Sequence, residues 1–219
     1  MIESIPYKYI SIEGNIGTGK TSLCELLLRD TNSMLMLEEF AENPFLPYFY
    51  ENPAKYAFPL ELFFMTERYK QQEIQFQAQD LFSDFVLSDY LFIKTLLFAS
   101  INLNESDYAI FYRLYSTLQQ SLPSPDLIMY LHRSPEELLR QIKKRGRSYE
   151  QKIQGAYLQQ IQDTYFDYFR TLADIPVLII NLDGVDFIDD KVQYEEIQRL
   201  MRRQYQPGMH YISLLTKSN

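Results

Sequence analysis

One stretch, YISIEGNIGTGKT at residues 9–21, restricts what this chain can fold into more than any other. Tyr9-Ile10-Ser11-Ile12 reads as a short strand, and Ser22–Arg29 suits a helix. Between them lies Gly14-x4-Gly19-Lys20-Thr21, a phosphate-loop spacing in the strand–loop–helix context that it needs. Gly14, Gly17 and Gly19 permit the tight turns that aim backbone N–H groups at phosphate oxygens, and Asn15, Ile16 and Thr18 complete the loop. The helix that follows adds the positive end of its dipole. Lys20 supplies a point charge for a transferred phosphate, and the Thr21 hydroxyl suits a Mg²⁺ ligand.

Further strand-like runs follow at Met34–Leu37, Phe85–Ser88, Leu127–Leu131 and Val177–Ile180. Each is short and apolar throughout, as strands buried on both faces should be. Helical patterns fill the gaps: Thr21–Asp30, Pro53–Gln79, Leu91–Ile101, Asp107–Ser121, Pro135–Lys144, Gln151–Ala173 and Tyr194–Tyr205. This alternation predicts an α/β fold, a five-stranded parallel sheet flanked by helices, in one domain spanning residues 1–219. Ligands of such sheets bind at the carboxyl ends of the strands, which singles out the phosphate loop, Glu38, Asp89 and the Asp183–Asp186 turn. Strand two, which ends at Glu38, is expected beside the phosphate-loop strand.

The net charge of −8 argues against a broad nucleic-acid footprint, and the one dense basic run is Lys143-Lys144-Arg145-Gly146-Arg147. A single cysteine, Cys24, allows no intrachain disulfide and fits a reducing compartment. The first residues, MIESIPYKYISIE, lack the apolar core of a signal peptide, and no apolar run approaches a membrane span. A cytoplasmic protein with no membrane partner is expected.

The acceptor is constrained by residues 31–67, which hold one basic residue, Lys55, against six glutamates. A phosphorylated acceptor would call for arginines there. A neutral hydroxyl calls instead for a carboxylate that can take its proton during phosphoryl transfer, and Glu38 is positioned for that. Asp89, at the tip of strand three, is positioned to bind Mg²⁺ directly or through water opposite Thr21, a role compatible with capping a helix. Arg145 and Arg147 could close over the γ-phosphate from a mobile lid, or simply face solvent at a helix end.

Several ordered motifs between Tyr9 and Phe187 resemble the deoxynucleoside kinases. GNIGTGKT (14–21) resembles the family's phosphate loop. LEEFAENPF (37–45) resembles its glutamate loop and implies Glu38 as catalytic base, with Glu39 where many members have proline. FYENPAKYAFPLELFFMTER (49–68) resembles the substrate helix. The match implies Tyr50 at the sugar hydroxyl, Leu60 and Glu61 at the base, and Arg68 near the base and the 5′ end. KKRGRSYEQ (143–151) resembles the Arg-rich lid, with Glu150 near the sugar, and Asp186-Phe187 the loop bordering the donor adenine. The resemblance implies ATP and Mg²⁺ as cofactors, a deoxynucleoside acceptor and a homodimer. Two departures stand out. Many members carry arginine directly after the acid of strand three, where this chain has Tyr90. Several also carry an acidic partner for the base-reading arginine, where this chain has Lys94 or Thr95.

Glu61 stands where members often have glutamine. A carboxylate only accepts, and guanine presents two adjacent donors, N1–H and the 2-amino group. Adenine and cytosine each set a ring-nitrogen lone pair beside their amino group and would oppose it. Arg68 could donate to guanine O6 or N7. The expectation is a deoxyguanosine-preferring kinase of nucleotide salvage. A thymidylate-type monophosphate kinase and a non-catalytic nucleotide-binding regulator are the rivals.

Overall fold

The computed structural model describes residues 4–38, 43–77 and 82–214. Glu39 and the last two residues of the helix expected to reach Gln79 lie outside them. β1 (Tyr9–Gly14) runs into α1 (Lys20–Asp30) and β2 (Ser33–Met36). The short α2 (Leu46–Phe49) and the long α3 (Pro53–Gln77) precede β3 (Phe85–Ser88), which leads to α4 (Ile93–Asn102) and α5 (Glu105–Gln119). β4 (Leu127–His132), α6 (Pro135–Arg145) and a 3-10 turn at Ser148–Lys152 come next. The chain then forms α7 (Gly155–Thr171), β5 (Pro176–Asn181), α8 (Lys191–Arg202) and β6 (Gly208–Ser213).

Among the described residues the sheet has six parallel strands, ordered β2-β3-β1-β4-β5-β6, rather than the five expected. The addition, β6, pairs with β5 from Pro176↔Gly208 to Asn181↔Ser213. It is an edge strand with Tyr211 69% exposed, so its sequence, GMHYIS, lacks the unbroken apolar run of a strand covered on both faces. His210, which the sequence left in a tail, belongs to this strand.

The order also corrects the expected neighbour of the phosphate-loop strand. β3 lies between β1 and β2, pairing Ser11↔Ser88 on one side and Met36↔Ser88 on the other. β2 and β3 therefore end together at the level of Ser11, and β1 continues for three more residues to Gly14. Glu13, Glu38 and Asp89 all fall within two residues of that level, at the same edge of the sheet.

Alternate strand residues feed opposite cores, as a two-residue period requires. Leu127, Met129 and Leu131 join Leu23 and Leu27 of α1 and Ile197 and Leu200 of α8. Ile128 and Tyr130 join Leu97 of α4 and Ile161, Tyr165 and Phe169 of α7. In α3 the buried positions are 57, 60, 61, 64, 65, 68 and 72, one helical face. That face includes Glu61 and Arg68, so packing this helix carries two charged side chains inward.

The phosphate loop packs closely on α6. A Cβ at Gly17 would meet Ile142 Cγ1 at 2.9 Å and the Leu138 carbonyl at 3.3 Å, and φ is +86° there. Only glycine meets both demands. Gly17→Ala is expected to destabilise the fold by about 1–3 kcal/mol. Thermal unfolding should register this as a Tm loss of about 2–4 °C per kcal/mol.

Candidate active site

The site begins with a carboxylate inside β1. Glu13 is fully buried. Its Oε1 accepts the Leu91 N–H at 2.5 Å, and its Oε2 accepts the Tyr165 hydroxyl at 2.8 Å and the Gly14 N–H at 3.3 Å. Burial pushes its pKa up, opposed by the charges of Lys94 and Lys20. One residue later the phosphate loop starts. Asn15 Nδ2 donates to the Leu158 carbonyl at 2.7 Å, and the Thr18 hydroxyl donates to the Asn15 carbonyl at 3.0 Å. Lys20 Nζ donates to the carbonyls of Gly14 and Asn15 at 2.8 and 2.9 Å. Burial pushes Lys20 down to about 8, and the nearby Lys94 charge pushes the same way. α1 has no side-chain cap, so its first N–H groups point into the loop, the arrangement that binds phosphate.

A hydrogen-bonded chain links the first turn of α1 to the residues that follow β3 and β2. The Thr21 hydroxyl donates to Asp89 Oδ2 at 2.7 Å, and Asp89 Oδ1 accepts the Glu38 N–H at 2.6 Å. Glu38 itself is 7% exposed and held by two cations. Its Oε1 accepts from Arg68 Nε at 2.7 Å and from Arg68 Nη2, and its Oε2 accepts from Lys94 Nζ at 2.5 Å. Burial alone would raise the Glu38 pKa, but Arg68 and Lys94 together hold it down at about 2. Arg68 Nη1 also donates to the Thr95 hydroxyl at 2.9 Å. Arg68 is thus held between Glu38 and Thr95, in the same cavity as Glu61.

Glu61 is 1% exposed. Its Oε1 accepts from Asn102 Nδ2 at 2.7 Å, and Asn102 Oδ1 accepts the Tyr157 hydroxyl at 3.1 Å. Oε2 is buried with no hydrogen-bond partner. Burial raises the carboxyl to about 7, against the Asn102 hydrogen bond and the Arg68 charge. A buried acceptor without a donor is costly and is the natural mark of a ligand position.

The basic run ends α6, and its two arginines meet on Glu150. Gly146 caps the helix at φ +74°. Arg145 Nε donates to Glu150 Oε2 at 3.1 Å, with Nη2 at 2.5 Å, and Arg147 Nη1 reaches Glu150 Oε1 at 3.4 Å. Glu150 is buried by these contacts. Lys20, Thr21, Glu38, Tyr50, Leu60, Glu61, Arg68, both arginines and Glu150 line one cavity of about 1080 Å³. Asp89 sits one hydrogen bond behind Thr21. Asp186 accepts the N–H groups of Ile188 and Asp189, which shapes the donor-side turn. Phe187 lies in the core under Gly19, its Cζ 3.1 Å from where a Cβ would stand, and Ile188 is the residue of that turn on the cavity wall.

Thr21 and Asp89 offer two hard oxygen atoms beside the phosphate loop. That suits Mg²⁺, which takes one or two protein oxygens and fills its octahedron with phosphate and water. Among the described residues no cluster of three or more His, Cys, Asp or Glu could hold a metal without such help.

Five site residues escaped the sequence reading: Glu13, Lys94 as a partner of Glu38, Asn102, Tyr157 and Arg133. Arg133 is buried and donates to the carbonyls of Leu182 and Val185 at 2.5 and 2.9 Å, fixing the loop before Asp186. Glu13 and Lys94 had a usable signal, a single charge inside an apolar run (SIEG, LFIKTLLFA). Asn102, Tyr157 and Arg133 had none.

The chain matches the family model described as deoxynucleoside kinase over residues 10–205. It is 35% identical over 196 residues to the deoxyguanosine kinase of Bacillus subtilis (strain 168), covering 86% of this chain and 93% of the relative. It is 32% identical over 207 residues to the deoxyadenosine kinase of Dictyostelium discoideum, covering 93% and 82%. The structure of deoxyadenosine kinase from M. mycoides with the products dCMP and dCDP superposes with a TM-score of 0.74 at 25% identity, covering 88% of this chain and 97% of that one.

Glu61 makes stability depend on pH in a definite direction. Its folded pKa of about 7 lies above the ordinary value of about 4.3. Between those values the folded state keeps a proton that the unfolded chain has released, so stability falls as pH rises toward 7. Glu61→Gln should therefore raise Tm at pH 8 and change it little at pH 4.5, with a difference of about 2–4 kcal/mol. Thermal melts of the two proteins at both pH values check this.

Proposed function

The chain belongs to the deoxynucleoside kinase family, and we propose that it transfers the γ-phosphate of ATP to the 5′-hydroxyl of a purine deoxynucleoside, deoxyguanosine before the others, in nucleotide salvage. The observation that carries the acceptor is Glu38. It is buried and ionised at any working pH, and both acceptor-side cations, Arg68 and Lys94, are matched to it. An incoming monophosphate would meet the Glu38 and Glu61 carboxylates with those cations already engaged. A neutral hydroxyl meets an acceptor for its proton.

The 5′-oxygen attacks the γ-phosphorus in line, the bond from that phosphorus to the ADP oxygen breaks, and the 5′ proton passes to Glu38. A carboxylate with a pKa of about 2 is a weak base, which suffices because the hydroxyl proton moves late in a loose transition state. Lys20 and the loop N–H groups hold the donor phosphates, and Arg145 and Arg147 leave Glu150 to cover them. Mg²⁺, held by Thr21 and Asp89, neutralises phosphate charge when bound. Tyr50 and Glu150 take the sugar and Leu60 packs on the base. The unpartnered Oε2 of Glu61, with the remaining lone pair of Oε1, accepts from guanine N1–H and its 2-amino group. Asp186 shapes the adenine side, with Phe187 as its floor.

The whole chain, 1–219, acts as one kinase domain whose lid is about 143–151. It works in the cytoplasm as a homodimer. Exposed Ile110 and Leu114, one turn apart on α5, support the pairing surface, and among the described residues no helix is long and apolar enough to cross a membrane.

Turnover with ATP and Mg²⁺ against the four deoxynucleosides and their monophosphates tests the reading. Phosphorylation of nucleosides alone supports it; turnover of monophosphates alone removes Glu38 from its role. Glu38→Gln should cut kcat by about 10²–10⁴-fold while ATP still binds, whereas a nucleotide-binding regulator would be indifferent to the change. Glu61→Gln should move kcat/KM from deoxyguanosine toward deoxyadenosine and deoxycytidine, because an amide donates as well as accepts.

A further inference from the structure

Position 90 brings no cation to the site. The Tyr90 side chain is fully buried under α3, its hydroxyl donating to Gln71 Oε1 at 2.8 Å. Positive charge arrives from the next helix instead. Lys94 sits in the first turn of α4, where Thr95 is the one other polar residue before Ser100, and is 4% exposed. Its Nζ donates to Glu38 Oε2 at 2.5 Å and lines the same cavity as Lys20. The two ammonium groups stand close enough to oppose each other, with Glu13 below facing both. Burying an ammonium is expensive, and a methionine or leucine would fill this place in a helix at far lower cost.

We infer that Lys94 is a catalytic residue of the phosphoryl transfer: it holds Glu38 before reaction and binds the transferred phosphoryl group as Glu38 becomes neutral. The inference rests on the kinase reading above. Before transfer the Glu38 carboxylate is the counter-ion of Lys94 and Arg68, and the acceptor is uncharged. Transfer forms the bond from the 5′-oxygen to phosphorus, breaks the bond from phosphorus to the ADP oxygen, and moves the 5′ proton to Glu38. Glu38 is then a neutral acid, and the new monophosphate beside it carries the negative charge. The two cations change counter-ion from carboxylate to phosphate. Arg68 is additionally fixed by Thr95, whereas the four-carbon stem of Lys94 can turn its ammonium with the moving charge. The site thus accepts a neutral substrate and stabilises a charged product with the same two side chains.

The test compares the full-length wild type with Lys94→Met and Lys94→Arg, using ATP, Mg²⁺ and deoxyguanosine. Lys94→Met should lose about 10²–10³-fold in kcat, with ATP affinity held within about threefold. Its affinity for dGMP should fall at least about tenfold while that for deoxyguanosine changes less than about threefold. The acid limb of kcat/KM should move upward, because Glu38 has lost one of its two cations. Lys94→Arg should restore most of kcat and the affinity for dGMP. A structural role alone would lower Tm and leave both the product-to-substrate affinity ratio and the acid limb in place, which overturns the inference, as does a Lys94→Met kcat within threefold of wild type. Should the methionine variant not fold, Lys94→Gln, whose amide still donates to Glu38, gives the same comparison. A wild type that phosphorylates no deoxynucleoside overturns the kinase reading and this inference together; wild-type turnover with unimpaired variants overturns only the latter.

Discussion

The pairing of Glu38 with Arg68 and Lys94 is the interaction on which the rest of the site depends. Each of the three is nearly excluded from water, and a buried charge is tolerable only beside its counter-charge and with its hydrogen bonds made. The network extends through the Glu38 N–H to Asp89, from Asp89 to Thr21, and beneath them to Glu13 between Lys20 and Lys94. Removing one member leaves another charge unbalanced, so the members are held as a unit. The parallel sheet makes this feasible, because β2 and β3 end beside Ser11 of β1 and Glu13, Glu38 and Asp89 all follow within two residues of that level.

Around this closed network the cavity keeps groups that are incomplete. Glu61 has one oxygen without a donor and a carboxyl raised to about 7 by burial. Arg145 and Arg147 rest on Glu150, half exposed, at the end of a helix stopped by a left-handed glycine. The two regions differ in purpose. The end around Glu38 and the phosphate loop has its charges paired and its hydrogen bonds made before any ligand arrives. At the other end Glu61 keeps an unpartnered oxygen, and the free energy of completing it is available to ligand binding.

Most of the architecture was legible because its signals are local. The phosphate loop is contiguous, and strands buried on both faces announce themselves as short apolar runs. β6 escaped because an edge strand alternates and resembles a tail. The neighbour of β1 was misassigned because strand order is set by crossover geometry and not by the strands' own residues. In the site, Glu38, Glu61, Arg68, Arg145 and Arg147 were found from sequence spacing and family resemblance. Asn102, Tyr157 and Arg133 were not, because an amide, a phenol and a guanidinium carry no sequence sign of whose carbonyl or carboxylate they meet.

The sequence by itself therefore determined the chemistry available: a phosphate loop, a carboxylate after strand two, a carboxylate inside α3 and a pair of arginines at the end of α6. Those identities fix which atoms can donate, accept or carry charge, and no folding changes them. Tertiary structure decided which charges meet. It turned Tyr90 into the core, brought Lys94 and Arg68 onto Glu38, and left Glu61 with one oxygen unpartnered. The reason is that Coulomb and desolvation energies depend on distance and burial. Both quantities arise only when α3, α4 and the strand ends close around one cavity.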